Sequence, residues 1–111
     1  MSAHADLIRG RTVFLDNTAG VGGVSLQVGV ELCPGAHVYS YTITVSFTGA
    51  VIPATLARLR LQDSEIDVPS NGLAVVALAA DLPGLKWPSS ARLIAPPGCN
   101  VSLVLTYGNC A

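Results

Sequence analysis

Residues 38–49 alternate without interruption. Tyr39, Tyr41, Ile43, Val45 and Phe47 form one set, and Ser40, Thr42, Thr44, Ser46 and Thr48 form the other. A two-residue period belongs to a half-buried β-strand, whose successive side chains point to opposite faces, whereas a helix would scatter both sets around its circumference. One face therefore meets a core and the other shows hydroxyls to water. Residues 24–32 repeat the pattern, with Val24, Leu26, Val28, Val30 and Leu32 alternating with Ser25, Gln27, Gly29 and Glu31. The connection, residues 33–37, places Pro34 before Gly35 as a type II turn requires, so the two segments are expected to pair as an antiparallel hairpin. Their shared core is expected to hold Tyr41, Ile43, Val45 and Phe47 with Leu26, Val28 and Val30.

Further strands follow from the same reading. Residues 12–16 form a short first strand, closed by the turn residues of 16–23. Residues 50–54 contain Pro53 and read as a crossing loop. Residues 55–62 resume alternation, with Arg58 and Arg60 on one face. Residues 63–68, the most acidic stretch, read as a charged edge strand before the turn Pro69-Ser70-Asn71-Gly72. Residues 73–80 are apolar on both faces; alanine content allows a helix, but the short length between turns favours a strand covered on both sides. Residues 81–90 form the longest loop, 91–95 a short strand, and 100–108 the last, with Val101, Leu103, Leu105 and Tyr107 on one face. Seven to eight short strands separated by Gly and Pro loops predict an all-β fold, an antiparallel β-sandwich or jelly roll over residues 12–111, preceded by an N-terminal arm at residues 1–11.

Composition changes the picture of the surface. Half of the 111 residues are hydrophobic and only 12% are charged, against about 25% in an ordinary soluble domain. A surface so short of charge favours a protein that covers itself with neighbours. The net charge of −1, with Lys86 the single lysine, lacks the basic patch that nucleic-acid binding requires. No apolar run reaches the roughly 18 residues of a bilayer span, and residues 1–6 show neither the basic nor the apolar region of a secretory leader. Cytoplasmic synthesis with reduced thiols is therefore expected. Cys99 and Cys110 flank one strand, roughly 30 Å or more apart, so only Cys33 could pair with either.

Candidate chemistry is sparse. The glycines at 20, 22 and 23 resemble a phosphate loop, but no Gly-Lys-Ser/Thr and no helix follow. Asp63, Glu65 and Asp67 could attract a cation, without the spacing of an EF-hand loop. Cys33 and His37 could be cast as nucleophile and base, yet no third group orients the histidine, and His4 lies in the arm. Asn100-Val101-Ser102 matches a glycosylation sequon that has no meaning without secretion. Thr42 and Thr44 resemble an ice-binding row, but Ser and Thr are common on the wet face of a sheet. No catalytic, metal or cofactor site is expected, and the protein is read as a non-enzyme.

Large apolar groups outside the regular strands are the remaining signal: Leu7 and Ile8 in the arm, beside Arg9 and Arg11, and Leu82, Leu85 and Trp87 in the long loop. Trp87 either plugs an open end of the sandwich or contacts another chain or a sugar ring. The strand layout from about Thr12 to Ala111, the low charge, the arm and the apolar loop resemble the small jelly-roll cement or decoration proteins of tailed-bacteriophage capsids; Leu61-Gln62-Asp63-Ser64 is similar to a run found in some of them. The resemblance implies a non-enzymatic virion protein that forms homo-oligomers and clamps neighbouring subunits of a larger lattice such as a major capsid protein, without nucleic acid, membrane or cofactor. Leu7, Ile8, Arg9, Arg11, Leu82, Leu85 and Trp87 are then the expected interface. The alternative is a carbohydrate-binding β-sandwich, which would need a platform of exposed aromatic rings.

Overall fold

A computed structural model describes residues 8–20, 22–62 and 64–108. Eight strands run in the order β1 (Arg9–Asp16), β2 (Val24–Gln27), β3 (His37–Phe47), β4 (Thr55–Arg60), β5 (Glu65–Pro69), β6 (Val75–Lys86), β7 (Arg92–Ala95) and β8 (Cys99–Gly108). They form two antiparallel sheets, one in the order β1-β8-β3-β6 (sheet A) and one in the order β2-β7-β4-β5 (sheet B). First pairs with eighth, second with seventh, third with sixth and fourth with fifth. This is a chain doubled back on itself at the β4–β5 turn and then rolled, which brings β3 beside β8 and β4 beside β7. The result is a jelly roll, so the fold is an all-β antiparallel sandwich as the alternation predicts.

The core lies between the two inner faces. Sheet A contributes rows such as Leu15-Val101-Val45-Val76 and Val13-Leu103-Ile43-Leu78. Sheet B answers with Leu56, Ala57, Leu59, Val68, Leu93 and Ala95, all fully buried. Two polar residues among those described, Asn17 and Ser70, are buried as well. Asn17, buried just after β1, donates from its side-chain nitrogen to the Ala95 carbonyl (3.3 Å). Its backbone N–H donates to the Cys99 carbonyl (2.7 Å), and its own carbonyl accepts from Gly98 N–H (2.9 Å).

The expected β2–β3 hairpin does not form: β2 pairs with β7 in sheet B and β3 with β6 and β8 in sheet A. The second alternating segment stops being a strand at Gln27. Gly29 lies so close to the distant β6–β7 connection that a Cβ there would sit 2.3 Å from the Pro88 carbonyl oxygen, and the chain turns through a 3₁₀ segment, Gly29–Glu31. Val28 stays in the core, but Val30 is 60% exposed, not buried as its place in the alternation implies. The type II turn itself is present, with Gly35 at φ 72° and Ala36 N–H donating to the Cys33 carbonyl at 3.2 Å. It connects two sheets rather than two neighbours.

Three further expectations are corrected. Strand β1 begins at Arg9, where it pairs with Tyr107, so Arg9 and Arg11 belong to the sheet rather than to an arm. Strand β6 is covered on one side only, with Val75, Ala77 and Ala79 exposed on the outer face of sheet A, where it is the edge strand. It also runs on to Lys86, absorbing much of the expected loop, because a bulge lets Val38 pair with Leu85 and Ser40 with Asp81. Finally, Cys33 is disulfide-bonded, contrary to the expectation of free thiols, while Cys99 is free and buried. The register explains why Cys33 and Cys99 are not partners: Cys99 pairs with Phe47 at one end of β3, and His37, just past Cys33, pairs with Gly108 at the other. Cys110 lies outside the described residues.

Candidate interaction surface

The two outer faces of the sandwich carry opposite chemistry. On sheet B, Gln27-Arg92-Arg60-Glu65 and Ser25-Ile94-Arg58-Asp67 form the rows across the sheet. Arg58 Nε lies 2.8 Å from Asp67 Oδ1 and 3.4 Å from Glu65 Oε2, and Arg60 Nε lies 3.5 Å from the same Glu65 oxygen. Asp67 raises the Arg58 pKa above its ordinary value, first through the hydrogen bond and then through its charge, with Glu65 adding to it. The expected charged edge strand is thus β5, its carboxylates engaged by arginines of the neighbouring strand. Asp63 lies outside the described residues, and among those described no three His, Cys, Asp or Glu side chains gather as metal ligands.

Sheet A shows almost no charge outward. Its rows are Asp16-Asn100-Ser46-Val75, Phe14-Ser102-Thr44-Ala77, Thr12-Val104-Thr42-Ala79 and Gly10-Thr106-Ser40-Asp81. The two aspartates stand at opposite corners. Between them are small hydroxyl and alanine side chains, with Phe14 (69% exposed), Val75 (64%) and Val104 (41%) rising above them. Ser40 and Thr106 hydroxyls bond each other at 2.6 Å, so their polar groups are partly satisfied within the face. The corner carboxylate of Asp16 accepts from the Thr18 backbone N–H (2.9 Å) and hydroxyl (2.7 Å), which lowers its pKa below the ordinary carboxylate value.

The expected interface residues do not come together. Leu7 lies outside the described residues. Ile8 is exposed just before β1; Arg9 and Arg11 project from the same side of β1 as Val13 and Leu15, and are exposed. Leu82 packs half-buried against the core, Leu85 is exposed, and Trp87 is only 6% exposed. Trp87 therefore closes the end of the sandwich, its backbone N–H donating to the Ala36 carbonyl at 3.0 Å; it is a core residue and not an interface one. Its indole Nε1 and the Nδ1 of His37 are buried without a hydrogen-bond partner. The cleft beside it, about 360 Å³, is lined by Leu61, Gln62, Ser64, Leu85, Lys86, Trp87 and Pro88, and among the described residues it gathers no acid–base pair. Cys33, held in a disulfide, has no thiolate to offer His37.

Sequence reasoning missed Phe14, Val75 and Val104. Phe14 and Val104 were readable as outward members of alternating strands, but nothing local says that their strands, β1 and β8, are neighbours. No family model matches the chain, and no curated protein matches it at a significant level.

Proposed function

We propose that this chain is a non-enzymatic structural protein of a virion, a capsid cement or decoration protein that self-associates and clamps neighbouring capsid subunits. The observation that carries the reading is the contrast between the two outer faces: sheet B is charged, with Arg58 and Arg60 paired to Glu65 and Asp67, while sheet A offers a nearly uncharged surface of mostly small side chains. Four strands about 4.8 Å apart and some seven residues long present roughly 400 Å². At about 25 cal/mol per Å², burying the apolar part of such an area contributes several kcal/mol before the costs of association, and a repeating lattice multiplies it. A carbohydrate platform has weaker support, because Tyr41, Trp87 and Tyr107 are buried and Phe14 is the one strongly exposed aromatic among the described residues.

The test is native purification of the protein with whatever it accompanies, followed by direct imaging and particle mass measurement. The reading expects virus-like particles bearing this chain. It also expects Thr44→Arg, a charge placed in the middle of the sheet A face, to abolish attachment while β-sheet circular dichroism is kept. A chain that accompanies no larger lattice, or a Thr44→Arg variant that attaches like the parent, overturns the proposal.

A further inference from the structure

An antiparallel sandwich of this kind has four open sheet edges, and three of them are blunted. The edge strand β2 is four residues long. The edge strand β5 carries Glu65 and Asp67 and ends in Pro69. The edge strand β1 carries Arg9, Arg11 and Asp16. Short strands, charges and proline are the devices by which proteins stop an exposed edge from pairing with another chain. The fourth edge, β6, has none of them from Val75 to Ala80, and its first charge is Asp81.

The orientation of its backbone follows from the register. Phe47 N–H donates to the Ala74 carbonyl at 2.7 Å, and Val45, Ile43 and Tyr41 stand opposite Val76, Leu78 and Ala80. In an antiparallel ladder alternate residues direct both backbone groups to the same neighbour, so Val76, Leu78 and Ala80 bond β3. Val75, Ala77, Ala79 and Asp81 direct their N–H and C=O groups outward, where among the described residues no strand pairs with them. The pairable stretch is bounded on both sides. Asn71 and Gly72, with φ 52° and 80°, form the turn before it, and the bulge opposite Tyr39 breaks the ladder after Asp81.

We propose that this edge pairs with the same edge of a second copy, antiparallel about a two-fold axis at Leu78, to give a continuous eight-stranded sheet. Residues 75–81 are centred on Leu78, so this register uses the whole stretch and sets Val75 against Asp81, Ala77 against Ala79, Val76 against Ala80, and Leu78 against its own copy. All four outward-directed residues find partners, giving about eight backbone hydrogen bonds. No like charges face each other, because the lone Asp81 meets Val75. On the inner side, Val76 and Leu78, which the open edge leaves half-buried, are covered by their counterparts. A foreign strand could fill the ladder, but the self-centred match of length and the chance of meeting an identical edge in every copy favour a second chain. The contact is isologous, so it closes as a dimer, and it joins the two uncharged faces into one platform. The inference specifies the self-association in the proposed function and is independent of whether the lattice is a capsid.

The test is the mass of the full chain by sedimentation from micromolar to millimolar concentration, with hydrogen exchange read at the Val75, Ala77 and Ala79 amides. The parent is expected to reach twice the 11.4 kDa of one chain, with those amides protected as the dimer fills. Ala77→Pro removes an outward N–H, which an edge strand tolerates, and is expected to return the mass to that of one chain. The pair Ala77→Lys with Ala79→Lys, which changes only exposed side chains and sets lysine against lysine, is expected to do the same and carries the test if the proline variant does not fold. A parent that stays monomeric throughout, a foreign strand found on β6, or folded variants with the parent's mass each overturn the proposal. Because particle attachment is read separately with Thr44→Arg, loss of the dimer and loss of the capsid reading are distinct results.

Discussion

The ring of Tyr39 lies over Gly84, so close that a Cβ at position 84 would stand 3.0 Å from the Tyr39 Cε1. Gly84 also has φ 81°, a conformation in which an L side chain is strained. The contact holds the bulge that ends the regular β3–β6 pairing, and it moves Tyr39 out of the core row while Val38 takes the inward place. Gly84→Ala is expected to cost about 1–3 kcal/mol, through strained backbone and a displaced ring. Urea unfolding with an unchanged m-value would give that figure directly; a neutral substitution would show that the bulge relaxes freely.

Asn17 is expected to be the most sensitive polar residue. Asn17→Ala removes the donor to the Ala95 carbonyl and leaves a gap beside the turn that precedes β8. A loss of about 1–3 kcal/mol is expected, the range for stranding a buried polar group. Thr18→Ala, on an exposed neighbour, is expected to change stability far less, and thermal unfolding of the two side by side makes the comparison.

Val45→Asp tests the assignment of faces. Val45 is fully buried between the sheets, and an unpaired carboxylate there costs several kcal/mol against a total stability of about 5–15 kcal/mol. The variant is expected to lose cooperative unfolding. A soluble, native-like Val45→Asp protein would mean that the strand presents its other face to the core.

Trp87 separates packing from polarity. Trp87→Ala is expected to lower stability by about 3–5 kcal/mol, the usual result of truncating a buried aromatic. Trp87→Phe keeps much of the ring and removes an indole N–H that has no partner, so it is expected to lose much less. Equal losses in denaturant titrations would mean that the indole nitrogen has a partner in solution.

The pH dependence has a definite sign at Asp16. Its folded-state pKa lies below the ordinary value of 3.8 because Thr18 donates two hydrogen bonds to the carboxylate. Its contribution is therefore present above that value and is lost as the pH falls through the folded pKa. Asp16→Asn is expected to narrow its stability difference from the parent as the pH drops from 5 to 2, by thermal unfolding at each pH. A difference that stays constant would assign the effect to another carboxylate.

The sequence by itself determined where the middle of each strand lies and which face of most strands is buried, because a period of two is written in adjacent residues and needs no partner to be read. Tyr41, Ile43, Val45, Val101, Leu103 and Leu105 point inward as their alternation implies. Partners are different, since pairing depends on loops whose paths are set by contacts far apart in the chain. Segments 24–32 and 38–49 looked like a hairpin, yet Gly29 against Pro88 and the rolling of the chain sent β2 and β3 to different sheets. The bulge at Tyr39 turned an apparent loop into the end of β6, and the two-layer packing, which covers only the inner face of sheet A, left Val75, Ala77 and Ala79 exposed. The uncharged face exists only because β1, β8, β3 and β6 lie side by side: each strand supplies a few small side chains, and the surface they make has no counterpart in any one segment.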